Sequence, residues 1–113
     1  MRHWAEEVAK GYLETRGYAV LAENYTVRGA EIDLVAAQDD LTVIVEVRQR
    51  RSGRYGTPAE TLTPRKLERL QIAALHFISE RFGRDDLPLR FDAILVSGNA
   101  EAHTLEHLEG IVS

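Results

Sequence analysis

The spacing of apolar positions changes several times along the chain, and each change marks an element. Trp4, Ala5, Val8, Ala9, Tyr12 and Leu13 recur at the three-and-four interval of one helix face. Gly17 follows where helices commonly stop. The pattern predicts an amphipathic helix over about residues 2–16 and a short strand over 18–22. Residues 30–37 and 41–47 predict two further strands, the second dense in β-branched Thr42, Val43, Ile44, Val45 and Val47. Gln38-Asp39-Asp40 between them is a polar turn, so these two strands form a hairpin. Thr63-Pro64 supplies an N-cap and a first-turn proline. The stripe Leu67, Leu70, Ala74, Phe77, Ile78 and Arg81 then predicts a helix closed by Gly83. Residues 89–96 predict a strand, and 104–108 a short edge strand. The order αβββαβ predicts an α/β fold, a mixed central sheet flanked by helices, in one domain spanning 1–113.

The hairpin carries the first chemical signal. With Asp39-Asp40 as a two-residue turn, Gln38 faces Leu41. The same register sets Leu34 against Val45, Asp33 against Glu46 and Glu31 against Arg48. One face is then Ile32, Leu34, Ala36, Val43, Val45 and Val47; the other is Glu31, Asp33, Val35, Ile44, Glu46 and Arg48. Directly opposed side chains have β-carbons about 5 Å apart, and like charges there destabilise a sheet. A divalent cation, a shared proton or compensation by Arg48 would resolve the conflict. The plain alternative is a charged sheet surface with Glu31–Arg48 as a cross-strand ion pair. A three-residue turn would shift the pairing by one position.

Composition narrows the classes. The chain has 113 residues, 44% of them hydrophobic, and no cysteine, which excludes disulfides and cysteine-ligated metal sites. No apolar run is long enough to span a bilayer, and the charged start lacks a signal-peptide core, so no membrane role and a cytoplasmic location are expected. The net charge of −4 shows no global preference for nucleic acid. Yet Val47 to Arg69 holds seven basic residues against two acidic ones. A polarised chain of this kind can hold a local anion-binding stripe, or simply decorate a loop and a helix face.

The strings Glu31-Ile32-Asp33-Leu34-Val35-Ala36 and Val45-Glu46-Val47-Arg48-Gln49-Arg50 resemble the motif pair of the YraN-like family of small bacterial proteins. That family resembles Holliday-junction resolvases and the PD-(D/E)xK, or restriction-endonuclease-like, superfamily. Glu6, Ala9, Leu13 and Gly17-Tyr18 fit its first helix, Asn24 the stretch before its second strand and Tyr55-Gly56 its loop glycine. Lys66 fits its second helix and Arg90-Phe91-Asp92 its last core strand. Two positions depart from the pattern: Arg48 stands where the family has lysine, and Ala30 where it has glycine.

The resemblance implies a metal-dependent nuclease-like protein that hydrolyses or binds DNA, including branched or structured DNA. It implies Asp33 and Glu46 as ligands of Mg²⁺ or Mn²⁺, the Val47 carbonyl as a further ligand, and Glu6 approaching from the side. Such an ion polarises the phosphate and lowers the pKa of a bound water. Arg48 can fork onto a phosphate but cannot serve as a proton acceptor as a lysine can. An inactive DNA-binding or DNA-processing accessory protein on the same fold is therefore the alternative. An interaction module with an exposed sheet edge, open to homo-oligomers, is the third reading. Arg50, Arg51, Arg54 and Lys66 are candidate phosphate contacts, and Tyr55 is a candidate stacking residue or plain loop packing.

The remaining chemistry-bearing residues form no further motif. His103 and His107 are four apart, but their segment reads as a strand or tail with no third ligand. His76 reads as a packing or surface residue, and Asp92 as a third acid near the site or a cap. No glycine-rich phosphate loop follows a strand.

Overall fold

The computed structural model describes residues 3–50 and 63–112. Helix α1 (Trp4–Thr15) leads into strands β1 (Ala19–Val27), β2 (Ala30–Gln38) and β3 (Leu41–Arg50). Helix α2 (Pro64–Phe82) precedes β4 (Leu89–Gly98) and β5 (His103–Leu108). The five strands lie in the order β1-β2-β3-β4-β5, and β3 and β4 alone run parallel. This is the expected α/β fold with a mixed sheet, compatible with a restriction-endonuclease-like core. No described helix is long and apolar enough to cross a membrane.

Each helix covers one face of the sheet. Ala5, Ala9 and Leu13 of α1 pack on Leu34, Ala36, Val43, Val45, Ile94 and Val96. Leu70, Ala73, Ala74, Phe77 and Ile78 of α2 pack on Ala30, Ile32, Val35 and Ile44. The caps explain the helix ends. The Thr63 side chain accepts from the Lys66 amide, Pro64 opens α2, and Gly83 ends it at φ +70°. His3 caps α1 by accepting from the Ala5 amide at 3.2 Å.

β1 is longer than the expected 18–22 strand. It continues through Glu23-Asn24-Tyr25-Thr26-Val27 to a two-residue turn. Arg28 and Gly29 in that turn have φ of +51° and +79°. Two positive φ values match the right-handed twist of the flanking strands, so a tight hairpin forms where arginine, not asparagine, takes the first turn position.

The β2–β3 register is as expected from Gln38↔Leu41 to Leu34↔Val45, and there the ladder ends. Asp33 and Glu46 are not a ladder pair; neither are Glu31 and Arg48. The face pattern also reverses at this point. Ile32 joins the α2-side core with Val35, whereas Leu34 joins the α1-side core. Across from Asp33, Asn24 takes φ +50°, and β1 pairs with β2 on either side of these two residues. The left-handed Asn24 and the reversal in β2 thus face each other across the β1–β2 pair.

Candidate metal and phosphate site

Asp33 sits at the seam where the two strands part. Its Oδ2 accepts the Val47 amide at 2.8 Å, so a side chain takes the place of the missing ladder acceptor. The N–H and C=O of a strand residue point to the same edge, so the Val47 carbonyl also faces β2.

Glu46 points toward α2 and is 6% exposed. Its Oε1 lies 3.2 Å from Lys66 Nζ and 3.5 Å from Arg48 Nε. Arg48 is therefore held by the acid two positions before it, and not by Glu31 as a cross-strand pair would require. Its Nε is buried and makes no hydrogen bond. Glu6 approaches from α1 and accepts the Asn24 amide group at 3.0 Å.

The electrostatics of Asp33 follow from this crowding. Burial, then the charge of Glu46, push its carboxyl up to about 7; Glu6 and hydrogen bonding with Glu46 push the same way, while the Val47 amide opposes them. The influence of Glu46 on Asp33 shows that the two acids lie near each other, although not as ladder partners. Lys66 and Arg48 compensate Glu46 directly, whereas among the described residues no cationic side chain pairs with Asp33.

A half-buried Asp33 whose proton affinity is raised beside the buried Glu46 is a hard-oxygen pair suited to a hard divalent cation. Among the described residues, however, no group of three or more His, Asp and Glu side chains is gathered as a metal cage. Mg²⁺ commonly takes only one or two carboxylates and completes its shell with water and phosphate oxygens. The donor set fits that kind of ion and not an all-protein cage.

The other expected residues divide. Arg50 Nη1 lies 3.5 Å from Glu106 of β5, so it is engaged within the fold. Arg51, Arg54 and Tyr55 lie outside the described residues. Lys66, expected as a phosphate contact, reaches the acidic site from α2. Asp92 is not part of this site. Its side chain is fully buried on the α1 side, where Arg90 binds both its oxygens at 2.8 Å. His107 Nε2 lies 2.8 Å from it and the Gly110 amide 3.1 Å. His107 Nδ1 in turn meets the Tyr12 hydroxyl at 3.0 Å, and Arg90 donates to Tyr18 at 2.8 Å. His103 and His107 do not share a ligand: His107 binds Asp92, and His103 Nδ1 lies 3.2 Å from the Asn99 carbonyl oxygen.

The sequence profile of Uncharacterised protein family UPF0102 matches residues 5–96. The chain belongs to UPF0102. This agrees with the resemblance to YraN-like proteins. A UPF0102 protein of Thermus thermophilus is 44% identical over 105 residues, covering 93% of this chain and 90% of its own. One of Deinococcus radiodurans is 41% identical over 105 residues, covering 92% and 85%. One of Nitrosomonas europaea is 43% identical over 97 residues, covering 86% and 80%. The span matched to UPF0102 contains Glu6, Asp33, Glu46, Arg48, Lys66 and Asp92, and ends before His107.

Proposed function

We propose that this UPF0102 chain is a PD-(D/E)xK-type nuclease-like protein that hydrolyses DNA phosphodiesters with Mg²⁺ or Mn²⁺. The observation that carries the reading is the meeting of Asp33 and Glu46 beside Lys66 and Arg48. Asp33, Glu46 and the Val47 carbonyl would hold the cation. Bound there, it would polarise a phosphate oxygen and acidify a water.

The chain's own residues divide the other tasks. The Arg48 side chain is 36% exposed, and its guanidinium can donate to a phosphate oxygen. A guanidinium stays charged, whereas an ammonium can yield its proton. Lys66 therefore brings to Glu46 the titratable amine that position 48 lacks. Glu6 holds Asn24, the left-handed residue across from Asp33.

Incubation of the purified protein with branched, single-stranded and duplex DNA plus Mg²⁺ or Mn²⁺ tests the reading. Cleavage is expected, with loss in Asp33→Ala and in Glu46→Ala. Lys66→Ala should lower cleavage, and adding Arg48→Lys to it should restore part. DNA retention without cleavage would replace this reading with the accessory one, which Arg48 in place of lysine favours. Cleavage indifferent to Asp33 and Glu46 would reject the site.

A further inference from the structure

Beside Lys66 a cleft of about 200 Å³ opens between the β1–β2 turn and the first turns of α2. Gly29, Ala30 and Glu31 form one wall; Thr63, Arg65, Lys66 and Arg69 form the other. Arg65 and Arg69 are exposed, and neither has an ion-pair partner among the described residues.

We propose that this cleft is the track for a nucleic-acid backbone, with Arg65 and Arg69 as its phosphate contacts. The proposal rests on the nuclease-like reading and names where its substrate lies. Three features favour a polyphosphate strand as the occupant. First, Lys66 lines the cleft and also touches Glu46, so the cationic wall is continuous with the acidic site. Second, Arg65 and Arg69 are four residues apart on one helix face, a rise of about 6 Å, which is the scale of neighbouring phosphates on one strand. Third, the charge at this helix end is inverted. The first turn of α1 carries Glu6 and Glu7, as the helix dipole favours. The first turn of α2 has no acid and holds Arg65 and Lys66. Cations there oppose the dipole, and an anion between them removes the conflict.

Glu31 gives the proposal a signature of opposite sign. It is exposed on the far wall and would repel a phosphate strand. None of these contacts reads a base, so the track should be indifferent to sequence.

The test is fluorescence anisotropy of a labelled four-way junction and a labelled single strand across a salt series, with folding checked by circular dichroism. Arg65→Ala/Arg69→Ala should weaken binding about tenfold or more and reduce the slope of log K against log salt by about 2. Glu31→Gln should tighten binding, a change that misfolding cannot imitate. Wild-type binding that ignores both variants would overturn the track and leave the nuclease-like reading standing. No wild-type binding at low salt would overturn both. Weakening by Arg65→Ala/Arg69→Ala without tightening by Glu31→Gln would also overturn it, because the far wall would then not face the ligand.

Discussion

Asp33 and Asp92 are both withdrawn from water in adjacent regions of one sheet, and their surroundings treat them oppositely. Asp92 faces the full positive end of a network: Arg90 forks onto it, while His107 and the Gly110 amide add to this. Burial alone would raise its proton affinity, but those bonds together hold its carboxyl below the usual range. Asp33 faces Glu46 and Glu6, with the Val47 amide opposing them among the described residues, and its carboxyl is pushed up to about 7. The first arrangement is complete within the chain and holds β5 and α1 to the core. The second is crowded with like charge, and a bound cation of the kind proposed would make it favourable. A buried acid with satisfied partners is accounted for by the fold; one crowded by other acids is a candidate for function.

The largest expected effect is on the complete side. Asp92→Asn strands Arg90 and His107 without their anion, and should cost about 3 kcal/mol of folding stability, read by urea denaturation at neutral pH. The wild-type contribution depends on pH in a defined direction. The folded carboxyl is depressed, so its stabilisation is present above the unfolded pKa and lost as pH falls through the folded value. The gap between wild type and Asp92→Asn should therefore close below about pH 4.

On the incomplete side the sign reverses. The folded Asp33 carboxyl takes up a proton at about 7, well above the usual unfolded value. The folded state therefore binds more protons between these limits, and stability falls as pH rises toward and through the folded value. Asp33→Asn removes the repelled charge and should stabilise the metal-free protein by about 1–2 kcal/mol at pH 8, a gain that fades by about pH 5. Urea melts at the two pH values check this. A loss of stability at pH 8 would show that Asp33 is compensated after all. The smallest effect belongs to Tyr12→Phe, which deletes one hydrogen bond to His107 and should cost about 1 kcal/mol.

The two regions were unequally legible in the sequence. The turn at Asp39-Asp40 set the β2–β3 register, and Thr63-Pro64 and Gly83 marked the ends of α2, because each signal is local. Alternation placed Asp33 near Glu46, yet it could not show the ladder ending at Leu34 and Val45. The irregularity there also involves a left-handed Asn24 across from Asp33, in a different strand. The length of β1 was missed because Arg28-Gly29 is a weak hairpin signal beside Asn-Gly. Lys66 was visible as a basic residue, but its contact with Glu46 spans 20 positions and depends on how α2 docks. The Asp92 network joins residues as far as 95 apart, Tyr12 and His107, and no spacing rule reaches that distance.

A Mn²⁺ titration at pH 8, with free ion followed by electron paramagnetic resonance, measures the incompleteness of the Asp33 side directly. Saturable uptake of Mn²⁺ by wild type, lost in Asp33→Asn and in Glu46→Gln while Asp92→Asn retains it in its folded fraction, is the expected result. Uptake that survives both site substitutions, or no uptake by the wild-type protein, would contradict the account.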